Sequence, residues 1–194
     1  ARGREVQALA GVDLTIGTGE FVAFVGPSGC GKTTLLNMVA GIVRPTTGIV
    51  EHEGAVVTGP NRKVGYMTQV DSLLPWRTVR QNVMLPLRLR GTDRSRARET
   101  ADRFLAMVGL DGFGGHFPVE LSGGMRKRAA LAQLLCYEPG TLLMDEPFGA
   151  LDAQLKLVMQ AELLKIWSET GKTVVFVTHD LAEAIALAGR VVVF

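Results

Sequence analysis

EFVAFVGPSGCGKTTLLNMVAGIV, residues 20–43, joins a short apolar run to a glycine-rich loop and then to a helical pattern. The loop GPSGCGKTT (26–34) matches G-x-x-x-x-G-K-[ST] at every position and lies between a predicted strand and a predicted helix, as this motif requires. Glycines let backbone N–H groups close around phosphate oxygens, Lys32 adds a positive charge for the β- and γ-phosphates, and Thr33 offers a hydroxyl to Mg²⁺. The loop therefore predicts a site for nucleotide phosphates at Gly26, Pro27, Ser28, Gly29, Cys30, Gly31, Lys32, Thr33 and Thr34. We assign no chemical role to the cysteine side chain.

Further apolar runs predict an α/β fold, a P-loop NTPase core with a mostly parallel sheet. The runs at 141–147, 172–180 and 189–194 are continuous rather than alternating, as is the run at 20–26. Continuous apolar runs are typical of parallel strands that are covered on both faces. Helical patterns follow the first three runs along the chain, and this alternation of strand and helix favours a parallel sheet.

Other regions predict additions to that core. Residues 9–19 and 48–59 combine alternating Val, Ile and Thr with glycine turns, and we expect antiparallel strands that form a side sheet. Residues 71–136 have helical, arginine-rich patterns. We therefore predict one domain over 1–194, with an α/β core at 1–70 and 137–194 and an inserted helical subdomain at 71–136. Because the chain starts without Met and stops within an apolar run, we expect it to be trimmed at both ends.

Two carboxylates follow the apolar run TLLM at 141–144. In open parallel sheets, ligands bind beyond the carboxyl ends of the strands. There we expect Asp145 to orient Mg²⁺ through its water shell. Since side chains alternate along a strand, Glu146 should point elsewhere and face the attacking water as a general base. His179 ends another apolar run at the same edge, in a position to hydrogen-bond the γ-phosphate, whereas Gln69 is uninformative by itself.

A second segment, ELSGGMRKRAALAQLL (120–135), also has the features of an anion site. Ser122, Gly123 and Gly124 open a predicted helix, and the backbone N–H groups at a helix N-terminus attract anions. The residues alone do not explain why one domain has two such features. The basic residues at 88–98 and 125–128 are predicted to lie mainly on solvent-facing sides of helices. The alternative for 88–98 is attraction to nearby anionic lipid headgroups.

The composition excludes several classes of protein. The chain has 194 residues and a net charge of +2, so it offers no electrostatic case for binding nucleic acid. No apolar run approaches the roughly 20 residues needed to span a bilayer, which leaves a peripheral role at any membrane. The two cysteines fit neither a disulfide framework nor a metal site, and we expect reduced thiols.

GPSGCGKTT, Gln69, LSGGM, LLMDEP, GALD and VTHD, in this order, resemble the motifs of the nucleotide-binding subunit of ABC transporters. The resemblance covers essentially the whole chain. It implies an ATPase that uses ATP and Mg²⁺, works as a head-to-tail homodimer, and sits on the cytoplasmic face of the inner membrane. It also implies integral membrane permease subunits as partners and, indirectly, a solute-binding protein.

The resemblance also implies a role for each motif. Ser122, Gly123 and Gly124 would contact the ATP held by the phosphate loop of the partner subunit, which explains the second anion feature. Asp152 would lie at the dimer seam. Gln69 would join Mg²⁺ and the attacking water to the helical lobe, and His179 would be the switch histidine.

Several interpretations stay open at this level. The sequence departs from the family pattern at Met125, where a glutamine is usual, and LSGGM resembles the importers for nitrate, sulfonate and taurine. The alternatives are another ABC system, such as an exporter or a membrane-remodelling complex, and a soluble ABC-type ATPase. Residues 1–12 contain no aromatic residue that would stack on adenine. Trp76 fits either the core of the helical lobe or a surface that grips the membrane partner.

Overall fold

The computed structural model of the protein describes residues 7–70 and 72–194. Residues 1–6, half of the segment without an adenine-stacking aromatic, therefore lie outside the described residues, as does position 71. The strands of the described part are β1 (Phe21–Val25), β2 (Glu51–His52), β3 (Ala55–Val56), β4 (Val64–Met67), β5 (Thr141–Asp145), β6 (Thr173–Thr178) and β7 (Arg190–Val193). Its helices are α1 (Lys32–Val39), α2 (Val79–Leu89), α3 (Arg94–Met107), α4 (Gly123–Cys136), α5 (Ala153–Thr170) and α6 (Leu181–Leu187), with 3₁₀ turns at Phe113–Gly115 and Pro118–Glu120.

Five parallel strands form the central sheet in the order β4-β5-β6-β1-β7. The register pairs Met67 with Met144, Asp145 with Val177, and Val25 with Thr178. The carboxyl ends of β4, β5, β6 and β1 therefore lie along one edge of the sheet. This edge brings the phosphate loop and the polar residues that follow β4, β5 and β6 close together.

Both faces of the sheet are buried at its central strands β5, β6 and β1. Phe21 and Ala23 of β1 pack into one apolar cluster, which includes residues of α2, α3, α4 and α5. Val22 and Phe24 point to the opposite face, where they pack with Leu36 of α1. The continuous apolar runs of β1, β5 and β6 thus have their physical reason, because successive side chains of these strands are both covered. The run at 189–194 is different, since β7 lies at the edge of the sheet and most of its residues are exposed.

The fold class is the predicted one, with a parallel sheet and an antiparallel two-stranded sheet formed by β2 and β3. The predicted strand at 9–19 is wrong, since these residues form no strand. Leu14 and Ile16 are partly buried against the apolar cluster that contains Leu36. The alternation of apolar residues at 9–19 therefore reflects burial of one side of this segment. The segment is also held by a hydrogen bond, which the guanidinium of Arg190 donates to the carbonyl of Thr15 at 2.6 Å.

Helices α2, α3 and α4 follow β4 along the chain and pack against one another before the chain returns to the sheet as β5. Trp76 precedes α2 and is 71% exposed, so its interpretation as a core residue is wrong. Its loop is held by fully buried Asn82, whose amide nitrogen donates to the carbonyls of Leu74, Arg77 and Thr78, each at 3.1 Å. Among the described residues, no helix combines the length and apolar character needed to cross a membrane.

Candidate functional site

The phosphate loop connects β1 to α1 in a conformation that depends on glycine. Gly29 and Gly31 have φ angles of 83° and 101°, in the left-handed region that favours glycine. A Cβ atom at Gly31 would also lie 2.4 Å from Leu9 Cδ2. Gly31 is the N-cap of α1 and supplies no side chain to cap it, so the first N–H groups of α1 suit an anionic ligand.

Lys32 is held inside this loop. Its Nζ donates to the carbonyl oxygens of Gly26 and Pro27, both at 2.8 Å, and contacts the Sγ of Cys30 at 3.3 Å. Lys32 is only 7% exposed, although lysine is rarely buried. The loop thus keeps a positive charge at its centre, as nucleotide phosphates require.

Thr33 and Asp145 form the link between the loop and the end of β5. The hydroxyl of Thr33 donates to Asp145 Oδ2 at 2.7 Å. Burial, with a smaller contribution from the charge of Glu146, raises the pKa of Asp145, although the hydrogen bond from Thr33 and the charges of Lys127 and Lys32 oppose this shift. A hydroxyl and a carboxylate are the hard oxygen ligands that suit Mg²⁺, so this pair fits the metal that the sequence predicts.

The negative charge of Asp145 also affects a nearby phenol. Burial, together with this charge, raises the pKa of Tyr66 to about 12. The protonated hydroxyl of Tyr66 donates to Asn37 Oδ1 at 3.0 Å, which ties β4 to α1 behind the phosphate loop.

Glu146 lies one residue beyond β5 and leaves the sheet in a turn. Its φ angle is 49°, and its N–H donates to the carbonyl of Val177 at 2.9 Å. Its Oε2 accepts from Gln69 Nε2 at 3.4 Å, and its Oε1 lies 3.2 Å from His179 Nδ1. The carboxylate thus has different partners from that of Asp145, which accepts a hydrogen bond from Thr33.

The basic segment 125–128 was predicted to lie mainly on a solvent-facing side of α4, and this prediction is wrong. Lys127 is 8% exposed and donates to the backbone carbonyls of Thr68 and Gln69. Arg128 donates to the carbonyls of Val108 and Gly109 at 2.8 and 2.9 Å. Lys127 thus fixes the backbone of Gln69, a role that the sequence analysis missed. Helical spacing contains a signal for it, since one buried stripe of α4 comprises Lys127, Ala130, Leu131 and Leu134.

Ser122 opens α4 and makes no hydrogen bond with the cluster formed by Glu146, Gln69 and His179 among the described residues. Its Oγ accepts from the N–H of Met125 at 3.3 Å, while a Cβ atom at Gly124 would lie 3.2 Å from the carbonyl of Ala150. Asp152 follows Ala150 by two residues and caps α5, with Oδ1 accepting from the N–H of Leu155 at 3.0 Å. Ser122 is exposed. Within the described part of the chain, no hydrogen bond joins Ser122, Gly123 or Gly124 to the phosphate loop.

The structure thus divides the predicted site residues into two groups. The phosphate loop, Asp145, Gln69, Glu146 and His179 meet at one edge of the sheet. The residues that open α4 form the second group with Asp152, which caps the neighbouring start of α5 and follows the Ala150 carbonyl that Gly124 approaches.

Comparison with known proteins identifies the origin of this arrangement. The sequence profile of the family described as ABC transporter matches residues 9–149. The chain belongs to the ABC transporter family. An uncharacterized ABC transporter ATP-binding protein of Methanocaldococcus jannaschii is 49% identical over 191 residues, which cover 98% of this chain and 72% of that protein. The taurine import ATP-binding protein TauB of Yersinia pestis is 48% identical over 183 residues, which cover 94% of this chain and 72% of TauB.

Solved structures agree with this membership. The dimeric post-hydrolysis state of the ATP-binding cassette MJ0796, bound to ADP and Pi, superposes on this ABC protein with a TM-score of 0.93 at 35% identity. The superposition covers 100% of this chain and 89% of that structure. The fold class and the ATP-hydrolysing character predicted from the sequence are therefore confirmed for this ABC protein.

Proposed function

We propose that this ABC ATPase is the ATP-hydrolysing subunit of an importer for taurine, nitrate, a sulfonate or a related small solute. The cluster formed by Glu146, Gln69 and His179 beside the phosphate loop is the observation that carries the hydrolytic part of this proposal. The importer type is supported by relatives at 45–48% identity that are named taurine import ATP-binding proteins. The LSGGM form of the motif at 121–125 supports the same type.

The phosphate loop would hold ATP through residues 26–34. Its backbone N–H groups and the N-terminus of α1 bind the phosphate oxygens, and Lys32 turns from the loop carbonyls to the β- and γ-phosphates. Thr33 and Asp145 would hold Mg²⁺, with Gln69 as the third oxygen donor. Bound Mg²⁺ would neutralise charge on the phosphates.

Glu146 acts as the general base in this proposal. Its carboxylate is 24% exposed, so a water molecule can reach it, and neighbouring side chains contact both of its oxygens. Glu146 accepts a proton from water as that water attacks the γ-phosphate. His179 orients the carboxylate and hydrogen-bonds the transferring phosphoryl group, while Gln69 positions the water.

Each catalytic centre is split between two copies of the chain. Ser122 is exposed at the N-terminus of α4, no hydrogen bond joins it to the phosphate loop in the described part of its own chain, and the solved relatives are dimeric. In a head-to-tail homodimer, Ser122, Gly123 and Gly124 would contact the ATP of the partner subunit through a helix N-terminus, with Asp152 at the seam. Hydrolysis would then require closure of the dimer.

The helical region would dock on integral membrane permease subunits at the cytoplasmic face of the membrane. Two apolar side chains that follow Gln69 along the chain are exposed, Val70 by 78% and Trp76 by 71%. Exposed aromatic residues favour interfaces. Closure of the dimer would move this surface and the permeases attached to it, and a solute-binding protein would deliver the solute from the other side of the membrane.

Replacement of Glu146 by Gln tests the catalytic assignment. The Glu146→Gln variant should bind ATP with a Kd within twofold of the wild type, because the loop contacts remain. Its ATP turnover should fall by about 100-fold or more, since the general base is lost. Size-exclusion chromatography should show an ATP-dependent dimer that persists.

Glu138→Gln is the matched control, because Glu138 is an exposed glutamate that also has a left-handed φ, 51°. This variant should hydrolyse ATP at the wild-type rate. Wild-type turnover by Glu146→Gln would contradict the proposed base.

A further inference from the structure

The loop that carries His179 is held from behind by a network of polar residues. Asp180 caps α6, with Oδ1 accepting from the N–H groups of Ala182 and Glu183 at 2.9 and 3.3 Å. The N–H of Asp180 donates to Thr178 Oγ1 at 3.0 Å. That hydroxyl in turn donates to Glu183 Oε2 at 2.5 Å. The two residues that flank His179 are therefore fixed, while its own ring is 66% exposed and contacts Glu146.

A single cation from another helix holds both carboxylates of this network. Lys156 of α5 places its Nζ 2.9 Å from Asp180 Oδ2 and 2.5 Å from Glu183 Oε1. The side chain of Glu183 is only 6% exposed and that of Lys156 is 25% exposed. Such a buried carboxylate is costly unless a cation and hydrogen bonds compensate it. The network depends on Lys156 for that charge.

Lys156 also lies one helical turn from the proposed dimer seam. Its N–H donates to the carbonyl of Asp152 at 2.9 Å, and Asp152 is the N-cap of α5. The side chain of Lys156 thus connects the first turn of α5, which begins at Asp152, to the loop that carries His179.

We infer that Lys156 is a positioning residue that sets the place of the His179 ring relative to Glu146 and connects it to the turn at Asp152. This inference rests on the proposed role of His179 in hydrolysis. Hydrogen bonding to Lys156 lowers the pKa of Asp180, which agrees with a stable ion pair. Burial by itself disfavours the ammonium form of Lys156, but its hydrogen bonds and charge interactions with Glu183 and Asp180 outweigh burial and raise the pKa of Lys156.

Loss of the cation should affect catalysis rather than nucleotide binding. In Lys156→Met, the carboxylates of Asp180 and Glu183 lose their partner and the start of α6 shifts, which moves His179 away from its position beside Glu146. Small misplacements of catalytic groups are costly, and kcat should fall by about tenfold or more. The Kd for ATP should stay within twofold, because Lys156 has no contact with the phosphate loop in the described part of the chain.

Two variants of the same full chain serve as controls. Lys156→Arg restores a cation that can reach both carboxylates and should keep at least half of the wild-type kcat. Lys165→Met makes the same chemical change at an exposed position of α5 and should leave kcat unchanged. If Lys156→Met does not fold, the pair is tested from the other side with Asp180→Asn, which keeps a cap for α6 but removes one charge and should lower kcat without changing the Kd for ATP.

The ring signal of His179 in the NMR spectrum provides a readout that general destabilisation would not produce. The chain has three histidines, and His179→Ala identifies the signal. The signal should shift in Lys156→Met and keep its wild-type position in Lys165→Met and Lys156→Arg. A wild-type kcat in Lys156→Met, or an unchanged His179 signal in that variant, would overturn the inference.

These outcomes are separate from a failure of the proposed catalytic site. If Glu146→Gln hydrolyses ATP normally, the proposed base is wrong whatever Lys156 does. If Glu146→Gln is inactive and Lys156→Met is as active as the wild type, only the positioning role of Lys156 fails.

Discussion

At the scale of single residues, two neighbouring carboxylates acquire different chemistry from the end of one strand. Asp145 is the last residue of β5, is 1% exposed, and accepts a hydrogen bond from Thr33. Glu146 stands in the next position, in a left-handed turn that brings its carboxylate to Gln69 and His179. Left-handed backbone for a residue other than glycine costs of order 1–3 kcal/mol and often marks a functional position. In the proposed mechanism, this turn would separate the residue that holds Mg²⁺ from the general base over one peptide bond.

The buried charge of Asp145 should destabilise the nucleotide-free protein at neutral pH. Burial raises the pKa of Asp145 in the folded protein above the value of about 3.9 that it has in the unfolded chain. The free energy of unfolding should therefore fall as the pH rises from the unfolded pKa through the raised folded pKa, because the folded protein must then bury a charged carboxylate. Asp145→Asn keeps an acceptor for Thr33 and removes the charge. We expect a higher urea midpoint than the wild type at pH 7.5 without nucleotide and Mg²⁺, together with loss of Mg²⁺-dependent ATP hydrolysis.

Asp111→Asn is the control for this prediction, since Asp111 is an exposed loop carboxylate and its replacement should leave the urea midpoint unchanged. A lower midpoint in Asp145→Asn than in the wild type would show that the charge stabilises the fold.

At the scale of elements, helix N-termini supply the anion-binding features of the proposed site. α1 starts at the phosphate loop without a side-chain cap, whereas Ser122 caps α4 and Asp152 caps α5. An uncapped N-terminus at the phosphate loop leaves its N–H groups for phosphates, and in the proposed dimer the start of α4 would face the nucleotide of the other chain. The position of α4 makes it the element that would join the two copies.

A bulky cation at the start of α4 should separate binding from hydrolysis. Ser122→Arg should bind ATP with a wild-type Kd as a monomer, because the phosphate loop is untouched, but should lower turnover by about 100-fold. Nucleotide titration and steady-state phosphate release measure the two effects. Ser95→Arg places the same side chain in the first turn of α3 and should have no effect on turnover. Equal rates for Ser122→Arg and the wild type would remove α4 from the catalytic site.

Local signals in the sequence predicted the elements that hold the site, and longer-range contacts account for what they missed. The phosphate loop and the carboxyl ends of β1, β5 and β6 follow from motifs and from continuous apolar runs. β4 was not predicted, because only four residues pair with β5 and one of them is Gly65. The burial of Lys127 depends on carbonyl oxygens of Thr68 and Gln69, far away in the sequence. Lys156 was missed for the same reason, since its partners are the N-cap of α6, Asp180, and a residue of that helix, Glu183.

At the scale of the whole molecule, the account depends on a division of each catalytic centre between two chains. One chain would supply the phosphate loop, Glu146 and His179, and the other would supply the residues that open α4. A symmetric head-to-tail dimer then contains two identical composite centres. In this account, the Lys156 network would connect the seam to the histidine, and the exposed surface around Trp76 would transmit closure to the proposed permeases.

Mixing two inactive variants tests this division most directly. Lys32→Ala damages the phosphate loop and keeps the start of α4, whereas Ser122→Arg does the reverse. In a mixed dimer, one centre carries both defects and the other carries none, so an equimolar mixture should recover ATP turnover of up to about a quarter of the wild-type rate if pairing is random. A mixture whose turnover equals only the average of the two separate variants would contradict the split catalytic centre.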